Sequence, residues 1–215
     1  EESVIKDYDI NDYKTKTELT RRKLVTTIYA AIRSYQQIES VTKNRQGLEK
    51  IIGAAGTLLG QHTVHGYASG VLAEFNMLVD SNSSVFCSRG QGIINGADDL
   101  SLYILGQSGL SEAAINTKLS TLEDKDANSQ ITRCFQQKKH FFDSESATFY
   151  FSSGGFRAVI HLALNKALTT IEVQLIEVFL TNIATGYENV HLFQKLRNAA
   201  YKDWLTDLPN RLDFV

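Results

Sequence analysis

The chain has 215 residues, a formal net charge of −2, 43% hydrophobic residues and 21% charged residues, which suits one globular domain with extensions. So small a net charge provides no strong field for nucleic acid or for an anionic membrane surface, and neither is expected as a partner. No apolar stretch reaches the roughly 18 residues of a membrane span and no signal peptide is visible, so the cytoplasm is the expected location.

Residues 10–19 contain a short apolar strand pattern followed by a lysine, in the order Ile-Asn-Asp-Tyr-Lys-Thr-Lys-Thr-Glu-Leu. This segment resembles the last strand and following loop of a response-regulator receiver domain, in which a lysine contacts the phosphorylated aspartate. Lys16 occupies that place, while Thr17 stands where proline is usual. The resemblance implies that residues 1–45 are the end of a receiver domain and its linker helix, with an upstream histidine kinase as partner. A short strand followed by a capped helix is the alternative.

Helical periodicity dominates the next 60 residues. Thr17 is a plausible N-cap, and apolar residues then recur every three or four positions to about Glu39, a pattern typical of a coiled coil or a packed helix. The polar run 40–47 is either a break or a solvated stretch of one long helix, and we favour continuity because no glycine or proline precedes Gly47 in it. Gly60 suits a helix C-terminus. The apolar positions in the two predicted helices that follow Gly47 are Leu48, Ile51, Ile52, Ala55, Leu58 and Leu59, and then Val64, Tyr67, Val71, Leu72, Phe75 and Leu78.

Strand patterns follow the helices. We predict strands at 83–88 and 100–105, an irregular segment with a short helix at 106–125, and a helix at 128–138. The clearest feature is a hairpin formed by 147–152 and 156–164, with the turn at Ser152-Ser153-Gly154-Gly155. Alternation places Phe149 and Phe151 on one face of this hairpin and Thr148 and Tyr150 on the other.

This order of helices, strands, crossover helix, hairpin and closing helix resembles GAF domains. Residues 183–192 also resemble the usual end of GAF modules, where I-A-x-A-x-x-N-x-x-L recurs. The resemblance implies an α+β fold, with a GAF-like antiparallel sheet flanked by helices and long terminal signalling helices. The sensor domain would span 46–188. More narrowly, the chain resembles an uncharacterised GAF-like family placed between a receiver and a cyclic di-GMP output domain.

GAF folds often hold a small molecule between sheet and helices, so polar-tipped residues on the strands are candidates. Tyr103, Tyr150 and His161 are the predicted pocket residues, although packing explains each of them equally well. His62 and His65 lack further Cys or carboxylate neighbours, so no metal and no cofactor are expected.

The two cysteines of the chain, Cys87 and Cys134, are expected to be small core residues. They are too few for a disulfide framework. A free-standing enzyme that uses one of them as a redox nucleophile is the least favoured alternative.

The closing helix is the element most directly tied to function. Thr169 and Glu172 form a capping box, and the helical pattern then runs to Trp204, far longer than an average globular helix. We expect its first half to pack on the sheet and 189–204 to form a coiled coil with a second copy of the chain. The predicted dimer residues are Val190, Phe193, Arg197, Ala200 and Trp204.

The C-terminal residues carry the most specific motif. Asp203, Leu205, Thr206, Leu208, Asn210 and Arg211 fit D-x-L-T-x-L-x-N-R, which resembles the opening helix of GGDEF domains. These are diguanylate cyclases that make cyclic di-GMP. The resemblance implies that 205–215 begin such a domain in the same polypeptide. The alternative is a purely structural one, a helix that ends at the chain's one proline.

The glycine-rich turn and metal-binding acids of a cyclase are absent from the sequence, so this chain is not expected to be catalytic by itself. We therefore expect a regulatory module of a two-component response regulator that couples receiver phosphorylation to a diguanylate cyclase. The alternative is a receptor domain whose small ligand controls the output.

Overall fold

The computed structural model describes residues 20–90, 100–109 and 115–201. The helices are α1 (Arg21–Leu59), α2 (Val64–Leu78), α3 (Lys125–Gln137) and α4 (Thr170–Tyr201), with a 3₁₀ turn at Leu119–Thr121. The strands are β1 (Ser81–Arg89), β2 (Leu102–Ser108), β3 (Phe141–Phe142), β4 (Ser146–Ser153) and β5 (Phe156–Leu164). The predictions for Lys16, for the cap at Thr17, for Trp204 and for the motif at 203–211 lie outside these ranges.

The chain divides into two compact units between Gln46 and Gly47. In the first, residues 21–46 of α1 are helical throughout, and the predicted continuity of α1 across 40–47 is confirmed. This part of α1 carries a row of exposed apolar side chains: Leu24, Val25, Ile28, Tyr29, Ile32, Tyr35, Ile38 and Val41.

The second unit is built on a five-stranded sheet in the order β2-β1-β5-β4-β3, and all of its strand pairs are antiparallel. The predicted hairpin is confirmed, because β4 and β5 pair from Ser146–Ala163 to Ser153–Phe156. Gly154 and Gly155 form the two-residue turn with φ of 55° and 87°. Positive φ at both central positions is the requirement of the tight hairpin turn that matches strand twist, and glycine meets it without strain. The two-residue strand β3 is not among the predicted elements.

The two faces of this sheet support separate cores. The first face packs against the end of α1, against α2 and against α4, through Phe86, Leu105, Phe149, Phe151, Ile160 and Leu162 of the strands. The second face packs against α3 and the 3₁₀ turn, through Val85, Cys87, Ile104 and Val159. Strand alternation produces this division, because successive side chains point to opposite faces. The predicted α+β antiparallel sheet flanked by helices is therefore confirmed.

Aromatic rings join the helices to the first face. Phe75 of α2 lies 5.9 Å from Phe149 of β4 and 5.2 Å from Phe179 of α4, measured between ring centroids. The predicted capping box of α4 is also confirmed, since the Thr169 N–H donates to Glu172 Oε2 at 2.7 Å. Helix α3 starts three residues earlier than predicted, at Lys125, because Asp124 caps it by accepting from the backbone N–H groups of Asp126 and Ala127.

Two predicted helix faces require correction. In α1 the core residues after Gly47 are Ile51, Ala54 and Leu58, whereas Leu48 and Ile52 are 43% and 72% exposed. In α4, Val190 is only 5% exposed and belongs to the core of its own unit, so it does not face a second copy as the coiled-coil prediction required. The reason is that core packing and a coiled-coil seam both recur every three to four residues.

Helix α4 approaches α2 closely at Gly186. The Tyr67 hydroxyl donates a buried hydrogen bond to the Ile183 carbonyl at 2.9 Å, and a Cβ on Gly186 would overlap the Tyr67 ring and hydroxyl. Glycine at this position therefore permits the contact between α2 and α4.

We predict that Gly186→Ala lowers the free energy of unfolding by about 1–3 kcal/mol, because the added methyl displaces the Tyr67 ring. Gly53→Ala is the matched control, since a Cβ on this exposed helical glycine meets nothing within 4 Å. The control is expected to raise the free energy of unfolding by about 0.5–1 kcal/mol through helix propensity. Urea denaturation of both variants measures the difference, and equal effects would contradict the packing described for Gly186.

Candidate functional site

A buried histidine lies in the middle of the second sheet face. His161 is 6% exposed, and its Nδ1 lies 2.8 Å from the Thr148 hydroxyl, directly across the β4–β5 register. Burial lowers the pKa of His161, and the carboxylates of Asp124 and Asp143 oppose that shift. The ring is therefore a neutral, hydrogen-bonded core residue.

The structure brings two of the three predicted pocket residues to one face. Tyr150 shares the second face with His161, and its ring lies 6.2 Å from Phe135 in an edge-on arrangement. Tyr103 alternates with Leu102 and Ile104, which pack in the core of the second face, so it belongs to the opposite face. Tyr103 thus lies apart from the other two.

The histidines and cysteines considered for metal or redox chemistry are engaged elsewhere. The ring centroids of His62 and Phe193 lie 5.0 Å apart in a tilted arrangement, and His65 Nδ1 lies 3.0 Å from the Leu105 carbonyl oxygen. Burial raises the pKa of Cys134 to about 12 and also raises that of Cys87, so both thiols stay protonated. Within residues 20–90, 100–109 and 115–201, no group of three His, Cys, Asp or Glu side chains could hold a metal ion.

Two cavities share one arginine. A cavity of about 320 Å³ lies between the ends of β1 and β2, the 3₁₀ turn and α3. A second cavity of about 160 Å³ lies at the junction of β1 and β5. Arg89 lines both cavities, and its guanidinium lies 5.3 Å from the centre of the Phe135 ring. A further groove of about 440 Å³ runs between β4 and α4, and Tyr150 lines it together with His140 and Glu177.

The β4–β5 turn contacts the closing helix α4. We call this contact the hairpin–helix junction (residues 153–156 and 187–195). The Ser153 hydroxyl donates a hydrogen bond to Glu188 Oε2, and a Cβ on Gly154 would overlap the Glu188 carboxylate. Tyr187 packs against Phe86, Phe151 and Phe156 with ring centroids 5.6–6.2 Å apart. The turn is therefore attached to α4 by both polar and aromatic contacts.

His191 is the least satisfied residue of this junction. It is 1% exposed and its ring centroid lies 3.9 Å from that of Phe156, yet neither ring nitrogen has a hydrogen-bond partner in the described structure. Burial, together with the nearby Lys195 ammonium, lowers the pKa of His191 to about 4. The Lys195 Nζ in turn lies 5.4 Å from the centre of the Phe156 ring.

Comparison with solved structures identifies the fold. The GAF domain of a phosphoenolpyruvate-protein phosphotransferase from Coxiella burnetii matches with a TM-score of 0.56 at 6% identity, over 71% of this chain and 98% of that one. The corresponding domain from Acinetobacter matches with a TM-score of 0.53 at 5% identity, over 67% and 94%. The second unit therefore has a GAF fold.

The sequence of the chain also identifies its family. Residues 28–196 match the family described as Domain of unknown function (DUF3369), and the chain belongs to that family. The chain is also similar to a Vibrio cholerae protein named 3′3′-cGAMP-specific phosphodiesterase 2, with 26% identity over 225 residues. That match covers 99% of this chain and 41% of the relative, so the chain spans about two fifths of the length of the relative.

Arg89 and the hairpin–helix junction are the features that sequence reasoning did not find. From the sequence, a single arginine at the end of a strand is expected to face the solvent. Only the long-range pairing of β1 with β5 places it opposite a second arginine, Arg157. Similarly, the sequence pattern predicted a coiled coil over 189–204, whereas the His191 ring is enclosed in the structure. Within the described residues, no helix contains an apolar stretch of the length that a membrane span requires.

We predict that acid destabilises the protein through His191. Its pKa is lower in the folded chain than the ordinary value of 6.5, so the unfolded chain takes up the proton first. Stability from this residue is therefore complete above pH 6.5 and is lost as the pH falls towards 4, by about 2 kcal/mol at pH 5. His191→Phe keeps the contact with Phe156, so this variant should be less sensitive to pH.

Urea denaturation of wild type and His191→Phe at pH 8 and pH 5 measures this effect. At pH 8 both rings are neutral, and that comparison isolates packing from titration. A loss of stability between pH 8 and pH 5 that is the same in both proteins would contradict the assignment.

Proposed function

We propose that this chain is the regulatory domain of a polypeptide that makes or degrades a cyclic dinucleotide. Two observations support the proposal. The relative from Vibrio cholerae, which aligns with almost the whole chain, is named as a phosphodiesterase specific for 3′3′-cGAMP. In addition, residues 203–211 of this chain fit the opening motif of the cyclases that make cyclic di-GMP.

The motif favours a diguanylate cyclase as the output. All six of its positions are filled in register, beginning at Asp203, only two residues after the last described residue of α4. A phosphodiesterase output is the second candidate, and the name of the relative is the observation in its favour. Under either candidate the GAF fold regulates the reaction and does not catalyse it.

The hairpin–helix junction carries the mechanism. Helix α4 runs from the sheet core to Tyr201, immediately before the motif, and the turn at Gly154 and Gly155 holds it through Ser153, Glu188 and Phe156. A change at the sheet therefore shifts the equilibrium between two positions of α4, which is the coupling that allosteric control needs. The receiver-like segment around Lys16 would supply a second input through α1.

The second part of the proposal is a homodimer. The apolar row on residues 21–46 exposes eight large side chains, and on α4 Leu192, Phe193 and Leu196 are 46%, 46% and 71% exposed. Exposed apolar rows of this length on helices are typical of surfaces that pair with another helix. A second copy of the chain is the simplest partner, and it would place two cyclase domains side by side to join two GTP molecules.

The output is tested with the complete product of the gene. We expect it to convert GTP to cyclic di-GMP, with hydrolysis of 3′3′-cGAMP and cyclic di-GMP assayed in parallel for the second candidate. Ser153→Ala should change the measured rate several-fold without changing the KM for substrate, because the residue acts through α4. Ser144→Ala, which removes an exposed hydroxyl outside the junction and outside the cavities, is the control. A complete gene product that shows none of these enzymatic activities would refute the proposal.

The homodimer is tested on this chain by multi-angle light scattering. We expect twice the mass of 24.0 kDa, and a shift to the monomer in Ile28→Lys/Tyr35→Lys because two charges enter the apolar row. Gln37→Lys adds a charge on the opposite side of α1 and should leave the dimer intact. A wild-type monomer at tens of micromolar would exclude this surface as a dimer interface.

A further inference from the structure

Two arginines meet where β1 and β5 separate. The register of these strands ends with the pair Ser88 and Ala158, so the next residues, Arg89 and Arg157, stand opposite each other. Both lie on the second face, because Arg89 covers Phe135 and Arg157 alternates with Ala158 of the first-face core. Like charges directly opposite in a sheet are destabilising, so folding alone does not explain the pair.

The described charged residues around this pair are cationic. The residues lining the 160 Å³ cavity include Arg89 and Arg157, and those lining the 320 Å³ cavity add Lys118. No aspartate or glutamate is among the described residues that line either cavity. The Nε atom of Arg89 is buried and has no hydrogen-bond acceptor in the described structure. A buried donor of this kind is costly unless a ligand supplies the acceptor.

We propose that Arg89 and Arg157 bind a phosphate group of a small ligand. Two planar guanidinium groups match the several oxygens of a phosphate through paired N–H···O bonds, which is the strongest use of arginine in recognition. The cation–π contact of Arg89 with the Phe135 ring positions its guanidinium group before the ligand arrives.

The sizes of the two cavities indicate how the ligand lies. The 160 Å³ cavity between the arginines accommodates the phosphate group. The 320 Å³ cavity reaches the lower end of the usual range for small-molecule sites, about 300–1,000 Å³, and it receives the rest of the ligand. Thr132 and Gln136 of α3 contribute hydrogen-bonding groups to that larger cavity.

The position of the site connects it to the output helix. Gly155 and Phe156 also line the smaller cavity, and the Phe156 ring packs against His191 of α4 in a tilted arrangement. A phosphate beside Arg157 therefore contacts the same turn that holds α4. The binding site deepens the proposed regulatory function, and only the effect of binding on the output rests on that function. Binding is measured on the 215-residue chain alone, so the binding site and the proposed output can be refuted independently of each other.

Isothermal titration calorimetry at constant ionic strength tests the site, with inorganic phosphate, GMP and 3′3′-cGAMP as probes. We expect saturable binding of at least one probe to the 215-residue chain. Arg89→Gln and Arg157→Gln should each weaken it at least about tenfold, since each removes charge-assisted hydrogen bonds. Arg33→Gln removes the same charge from an exposed position on α1 and should bind like the wild type.

The probes also separate the two sources of a phosphate group. A nucleotide that binds at least tenfold tighter than inorganic phosphate identifies an organic phosphate ligand, and equal affinities identify the free anion. Arg157 is exposed, so its variant should fold, and its melting temperature without phosphate should equal or exceed that of the wild type. Absence of saturable binding by all three probes, or unchanged affinity in both arginine variants, would overturn the proposal.

Discussion

The fold depends on one buried face of α4. Tyr187 lies at its centre, and its ring contacts Tyr67 of α2, Phe86 of β1, Phe151 of β4 and Phe156 of β5. Four elements therefore meet on a single side chain that is 1% exposed. Because protein interiors are close-packed, a shift of any of these elements must be accommodated by the others. The helix that continues toward the motif at Asp203 is thus fixed by the sheet that carries the candidate ligand cavities.

The contacts along α4 differ in quality from one end to the other. Near Phe179 the helix is held by well-packed aromatic rings, and at Ile183 by a satisfied buried hydrogen bond. Near His191 it is held by a ring whose nitrogens have no partner and by a hydrogen bond to a partly exposed carboxylate. Segments with fewer satisfied contacts open more readily, and regulatory elements are drawn from them. In the proposed mechanism, the C-terminal part of α4 is therefore the segment that would move.

The sequence was most informative where the signal was local. The alternation of 147–152 and the two glycines at 154 and 155 predicted the hairpin, and the Thr169–Glu172 box predicted the start of α4. It was less informative for 48–59, where apolar residues surround much of the helix and periodicity fits more than one face. The two-residue strand β3 is too short to show any period.

The candidate site was the least predictable part. Tyr150 and His161 were found by alternation, because a strand pattern assigns side chains to faces. Arg89 and Arg157 are far apart in the sequence, and only the register between β1 and β5 makes them neighbours. Such a long-range pairing leaves no local pattern. The same holds for the contact between Ser153 and Glu188.

The central claim is that the β4–β5 turn holds the root of α4, and hydrogen–deuterium exchange tests it most directly. Exchange at residues 187–197 is compared between the wild type and Ser153→Ala/Glu188→Gln. Losing this partly exposed hydrogen bond removes about 1 kcal/mol, so these amides should exchange about fivefold faster while 171–183 stay unchanged. Unaltered exchange at 187–197, or a uniform increase across the whole chain, would contradict the account.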